Sequence, residues 1–213
     1  MEIEYFGGSA IKIKQGGDSI GIDLSLPGSP KLVGGVKDLK AVFFTDEHRS
    51  KIELPEGVKK FEMAGEYEIG PFSVRGMAVK AQGEVFKTEK SNIFLIDTGE
   101  FGPIGVVAYA APELSGDTLE LLANARILII PVGNGGLSLD PEDALKIVKE
   151  LNAEFVIPVH FDDGKTKYDV PQIPVEKFVQ LTGSEADTFE GKVVSKNLVQ
   201  GGDGFKVVVI NPV

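Results

Sequence analysis

The sequence predicts an α/β protein in which two sheets pack face to face with helices outside them. Three observations carry this. The first third reads as strands and turns. The second half alternates helices with buried strands. Gly (26 residues) and Pro (12) are frequent enough to supply many turns. Ile3–Tyr5 and Ala10–Lys14 alternate in polarity, with Ile11 and Ile13 on one face. Gln15-Gly-Gly-Asp18 is a hairpin turn into a strand over 19–23. Leu26–Gly35, with Pro27 and Pro30, reads as a loop. Leu39–Thr45 is a continuous apolar run and therefore a buried strand. Further strands are predicted at 59–63, 66–68, 72–79, 93–97 and 104–109.

Ser115–Ala125 has the period of a helix, with Leu119, Leu122 and Ala123 on one face. Ile127–Val132 is a buried strand. Asp140 then caps a helix that has Pro141 at its first position and acids in its first turn. Its apolar face is Ala144, Leu145, Ile147, Val148 and Leu151. Phe155–Val159 is a buried strand that runs into His160. A short helix is predicted over 175–182, and strands at 193–194 and 205–210 close the chain.

A chain of 213 residues can bury about 70% of its unfolded surface, which suffices for one core and predicts a single domain over residues 1–213. With 22 Lys+Arg against 32 Asp+Glu, the net charge is −10. This balance argues against nucleic acid or an anionic membrane as partner, since both need a basic face. Cysteine is absent, which removes disulfides, thiolate nucleophiles and Cys-based metal sites. The start, Met1-Glu-Ile-Glu-Tyr5, lacks a basic region followed by an apolar one, so no signal peptide is read and a cytoplasmic location is expected.

The chemistry-bearing residues gather at the ends of apolar strands. The two histidines, His48 and His160, both fall there, and so do Asp23 and Asp46. Loops held by a rigid sheet are where sites usually form. Ser9 and Ser50 are nucleophile candidates only if a base reaches them. Asp97-Thr-Gly99 reads as a strand end with a turn, with an aspartic-protease triplet as the alternative, and Asp162-Asp163-Gly164 as a turn, with Asp162 as a candidate ligand at the same cleft. Gly133-Asn-Gly-Gly136 reads as a tight turn, with a phosphate cradle as the alternative.

Several stretches together resemble one family. They are Tyr5-Phe-Gly-Gly-Ser-Ala-Ile-Lys-Ile13, Ile20-Gly-Ile-Asp23, Leu39-Lys-Ala-Val-Phe-Phe-Thr45, Ile130-Pro-Val-Gly-Asn-Gly-Gly136, Leu139-Asp-Pro-Glu-Asp-Ala144 and Val156-Ile-Pro-Val-His160. In this order they resemble the metallo-β-lactamase-fold hydrolases, in the branch that contains L-ascorbate-6-phosphate lactonase and related Zn-dependent hydrolases. The resemblance implies a four-layer αββα sandwich and a metal site at the strand ends.

The metal motif departs from that family. Its members carry Thr-His-x-His-x-Asp-His after the apolar strand, whereas this chain reads Thr45-Asp-Glu-His-Arg-Ser-Lys51. Asp46 replaces the first His, His48 keeps the second, Ser50 replaces the Asp and Lys51 replaces the third His. No His stands near Lys80, where the resemblance expects one. Glu113 is the acid nearest to the expected bridging Asp, and Gly8 stands where relatives have a His. His160 alone keeps its full context.

Asp46, His48 and His160 could form a two-His, one-carboxylate set for a single zinc or manganese. A binuclear site would need more ligands. Lys51 and Lys80 would instead make the cleft cationic, beside Asp23. The expectation is a metallo-β-lactamase-fold protein with a degenerate metal site that binds a small-molecule ligand or is inactive. The alternative is a hydrolase of esters, lactones or phosphodiesters that uses a noncanonical mononuclear site.

Overall fold

The computed structural model describes residues 1–82, 89–99, 101–133, 136, 138–199 and 204–213. Among these residues the chain forms two sheets. In the first half the strands are β1 (Glu2–Gly7), β2 (Ala10–Gln15), β3 (Asp18–Ile22), β4 (Leu39–Phe43), β5 (Lys59–Phe61), β6 (Glu66–Ile69), β7 (Phe72–Lys80), β8 (Lys90–Asp97) and β9 (Ile104–Val106). In the second half they are β10 (Ile127–Pro131), β11 (Phe155–Val159), β12 (Ala186–Glu190), β13 (Lys192–Val194) and β14 (Lys206–Asn211). The helices are α1 (Gly116–Leu122), α2 (Pro141–Leu151) and α3 (Val175–Thr182).

One sheet has the order β13-β1-β2-β3-β4-β5 and the other β12-β14-β11-β10-β9-β8-β7-β6. Sequence neighbours build most of the antiparallel pairing, and β13 closes back antiparallel onto β1 from the far end of the chain. Parallel pairing appears where a crossover separates the strands, as between β3 and β4 and between β10 and β11. This is the expected two-sheet α/β sandwich.

The two sheets share a core. Ala41 and Phe43 of β4 face inward into the main cluster, and Phe43 stands edge-on to Phe94 of β8 at 5.5 Å. Val42 and Phe44 face the other way, into a second cluster with Leu24, Leu39 and Ile52. The strand is therefore covered on both faces, which is why its sequence is a continuous apolar run. The outer cover of this sheet is carried largely by the segments around Leu24, Leu32, Ile52 and Val58. By contrast, β10 and β11 are buried along their whole length, and α2 packs against β10.

Helix α2 starts where the sequence places it. Asp140 accepts a hydrogen bond from Asp143 N at 2.7 Å, and Pro141 occupies the first turn. It ends at Asn152, whose left-handed φ of 53° is a common helix stop. Asp140→Ala removes the acceptor at the cap and should cost about 1 kcal/mol. Thermal unfolding should show the midpoint drop by about 2–4 °C.

Strand β12 is the element that the sequence pattern missed. It is an edge strand, half-exposed along its length, and its polar residues give no clear alternation. No helix among the described residues is long and apolar enough to cross a membrane.

Candidate functional site

The site lies where the ends of β3, β4 and β11 meet the β1–β2 turn. Strand β4 runs on to Thr45, whose carbonyl accepts from Asn92 N at 2.7 Å and from Ser91 Oγ at 3.2 Å. Those bonds tie the root of the loop to the opposite sheet. Asp46 Oδ1 then accepts from His48 N at 2.7 Å and from Arg49 N at 3.1 Å. This starts the short 3₁₀ turn Arg49–Lys51. One oxygen of the Asp46 carboxylate is thus already used to shape its own loop.

Asp23 is fully buried behind this loop. Its Oδ1 accepts from Thr45 N at 2.9 Å and its Oδ2 from Thr45 Oγ1 at 2.5 Å. Burial, and then the charge of Asp46, push its carboxyl up to about 7, while Arg49 and the Thr45 bonds pull the other way. Its φ of 44° is left-handed, a strained conformation for a residue with a side chain.

His160 follows β11, again with a left-handed φ of 52°, and is fully buried. Its N–H donates to Gly8 O at 2.9 Å and to Tyr5 Oη at 3.1 Å. The β1–β2 turn is therefore stitched to the end of β11. The ring lies edge-on to Tyr109 at 5.4 Å and beside Tyr168 at 5.0 Å. Its Nδ1 is 3.1 Å from Gln172 Oε1. Gln172 Nε2 donates to Val170 O at 3.0 Å, which turns Oε1 toward the histidine. Nδ1 must then carry the proton, and Nε2 is left as a bare acceptor. That buried Nε2 has no hydrogen-bond partner among the described residues. Burial, and then the nearby Arg49 charge, lower the His160 pKa to about 3, so the ring stays neutral.

The cation of the site is Arg49. Its guanidinium donates through Nη2 to Tyr109 Oη and through Nη1 to Ser25 O at 3.4 Å. Burial opposes its charge, but Tyr109, Asp23 and Asp46 together outweigh this and raise its pKa further. Tyr109 also accepts from Ser9 Oγ at 3.2 Å, and burial raises its phenol well above the usual range.

A cavity of about 290 Å³ opens on this arrangement, and Asp46, His48, Arg49, Lys51 and His160 all line it. The loop 25–30, Tyr168 and Asp169 complete its wall. Four of the residues singled out from sequence thus reach one place, and Asp23 supports them from behind. Lys80 and Glu113 are exposed and do not line the cavity. Lys80 is the exposed last residue of β7, and Glu113 lies on the loop before α1. Lys51 is exposed, so the cation held inside the site is Arg49, two residues earlier. Among the described residues, no group of three or more His, Asp or Glu side chains is placed to hold a metal ion.

Among the described residues no histidine is hydrogen-bonded to either serine, and Ser50 lies beside the Glu62 carboxylate, whose pKa it lowers. Ser9 Oγ donates to Tyr109, and Ser50 Oγ donates to Glu47 O at 3.0 Å. Asp97 caps its own turn through Gly99 N, as Asp162 does through Gly164 N. Gly133 and Gly136 are described, whereas residues 134 and 135 of the glycine-rich turn lie outside the described residues. Sequence reasoning missed Arg49, Tyr109, Tyr168 and Gln172. Arg49 was visible within the altered metal motif. The others come from segments with no pattern of their own.

A model of the Beta-lactamase superfamily domain matches residues 2–160. A UPF0173 metal-dependent hydrolase from Bacillus cereus is 26% identical over 226 residues, covering 89% of this chain and 98% of the relative. A similar match, at 26% identity, is a UPF0173 metal-dependent hydrolase from Bacillus thuringiensis. Among solved structures, a Thermotoga maritima protein described as a Zn-dependent hydrolase of the metallo-β-lactamase superfamily superposes with a TM-score of 0.72 at 20% identity. It covers 98% of this chain and 97% of its own. Igni18, a metallo hydrolase from Ignicoccus hospitalis, superposes with a TM-score of 0.60 at 18% identity, covering 99% and 95%. The match to the domain model, the order of the two sheets and the site at their strand ends together show that the chain belongs to the β-lactamase superfamily and has the metallo-β-lactamase fold.

Proposed function

We propose that this chain is a metallo-β-lactamase-fold protein whose metal centre has been replaced by a fixed guanidinium, and that its cleft binds a small ligand without binuclear metal hydrolysis. The single observation that supports this most is the place of Arg49. The guanidinium sits on Tyr109 Oη, beside His160, in the pocket where the resemblance expects metal ions. A fixed positive charge there opposes a bound divalent cation by Coulomb repulsion.

The remaining donors do not fit a binuclear metal site. Asp46 Oδ1 accepts two backbone N–H groups, and both oxygens of Asp23 are held by Thr45. At position 8, where the resemblance expects a His, a Cβ would lie 3.0 Å from Pro27 Cδ and 3.9 Å from Arg49 Nη1. The space for that histidine is already partly taken. A catalytic zinc needs about three protein ligands and an open position for water.

A second reading is favoured by one observation, the bare Nε2 of His160. A metal-binding His usually has its other ring nitrogen held by an acceptor, as Gln172 holds Nδ1 here. On that reading Asp46, His48 and His160 take one zinc or manganese after Arg49 swings away, and the chain hydrolyses an ester, lactone or phosphodiester.

Elemental analysis of the purified chain, before and after incubation with zinc or manganese, separates the two readings. The proposal expects no metal above background. About one metal per chain, lost in both His48→Ala and His160→Ala, would establish the second reading instead.

A further inference from the structure

We infer that the cavity at Arg49 binds a small oxyanion that also carries an O–H donor, with the oxyanion against the guanidinium and the hydroxyl donating to His160 Nε2. This rests on the metal-free reading above and deepens it. Two unmet needs meet at this one cavity.

The first is for acceptors. Arg49 is half-buried and Tyr109, Asp23 and Asp46 already favour its charge, so what the guanidinium lacks is hydrogen-bond acceptors. The partners of Arg49 are neutral, a phenol and a backbone carbonyl. Among the described residues, no carboxylate forms an ion pair with it within 4.0 Å. Asp23 and Asp46 act on it only from farther away. These two neutral contacts leave the planar fork with N–H donors to spare, and an oxyanion takes these in pairs.

The second is a missing donor. Gln172 fixes the proton of His160 on Nδ1, so Nε2 can only accept. A buried acceptor without a donor is costly; Nε2 is closed to solvent in the unliganded chain, and His160 and Arg49 border the same cavity. A carboxylate alone would satisfy Arg49 but not His160. A hydroxy-carboxylate or hydrogen phosphate would satisfy both.

The Asp46 carboxylate acts on Arg49 only from a distance, its Oδ1 being held by two backbone N–H groups, so it does not occupy the guanidinium fork. Asp169 is exposed, as is Lys51 on the same wall, so the two offset each other in solvent. At about 290 Å³ the cavity suits a molecule of few heavy atoms, because drug-sized ligands start near this volume.

The test is titration of the full chain with lactate, inorganic phosphate and acetate, followed by calorimetry and by imidazole ¹⁵N NMR. Only two histidines are present, so both rings can be resolved, and a His48→Gln variant assigns His160. Lactate and phosphate should bind, and acetate should bind about three- to tenfold more weakly than lactate for want of the hydroxyl. The Nε2 resonance of His160 should move with lactate and phosphate but not with acetate. Whichever of the two binds more tightly identifies the ligand as a hydroxy acid or a phosphate. Arg49→Gln should weaken binding roughly ten- to hundredfold. Arg49→Lys keeps the charge without the planar fork and should fall between, so a folding defect in one variant does not decide the matter.

Equal binding of acetate and lactate with a still Nε2 resonance would overturn the role of His160. No binding of any probe to the wild-type chain would overturn the site altogether. Neither result touches the metal-free reading, which the elemental analysis judges separately.

Discussion

Gly133→Ala should destabilise the chain by about 3 kcal/mol or more, the upper range for overpacking a filled site. A Cβ at this position would fall on His160 O, well inside contact distance, and 2.7 Å from Gln172 Oε1. The first obstacle is backbone and cannot rotate away. The second is the acceptor that orients His160. Gly133 O also receives Ile173 N at 2.7 Å, so displacing this backbone disturbs the loop that carries Gln172. The close approach is what requires glycine here, since β10 and β11 run parallel and in register up to this point. Thermal unfolding should show a fall in midpoint of about 6–12 °C. A variant that melts like the wild type would mean that the turn after β10 is not clamped on His160.

That dependence shows which parts of the site were legible in the sequence. The apolar runs Leu39–Thr45 and Phe155–Val159 are covered on both faces, so their composition alone marks them as buried strands. The residues just past such strands stand at a sheet end, which is why the sequence singles out Asp46, His48 and His160, although His160 is fully buried there. The helix at Pro141 announced itself through its cap. Gln172 could not be found this way. It lies in a loop with no period, and its role exists only because the loop folds back on Gly133.

The exchange of Lys51 for Arg49 has the same origin. Both cations sit on one 3₁₀ turn. Which of them reaches inward depends on how Asp46 caps that turn and on the position of Tyr109, 60 residues later. Charge in a motif is visible from sequence, but its direction is set by tertiary contacts. Strand β12 shows the converse case. With half of its surface exposed at an edge, it needs no alternating pattern in order to pair with β14.

Two buried ionisable groups of the site, Asp23 and His160, should give the chain an unusual pH profile. Asp23 has its carboxyl raised to about 7 in the folded chain, chiefly by burial, against about 3.9 unfolded. The folded state then holds the extra proton, so this group lowers stability as pH rises from about 4 to about 7, by about 4 kcal/mol in all. His160 is the reverse. Its pKa falls to about 3, again chiefly through burial, against about 6.5 unfolded. The unfolded state takes the proton, so stability is lost as pH falls from about 6.5 to about 3, by about 5 kcal/mol. Between about pH 4 and 6.5 the two slopes have opposite signs and nearly cancel. Asp23→Asn removes one of them. Urea unfolding at a series of pH values should then show the variant losing stability toward acid, relative to the wild type, by about 1.4 kcal/mol per pH unit across that window. Parallel curves for the two proteins would mean that Asp23 is ionised in the folded chain at pH 5, its burial penalty already met by Thr45 and Arg49.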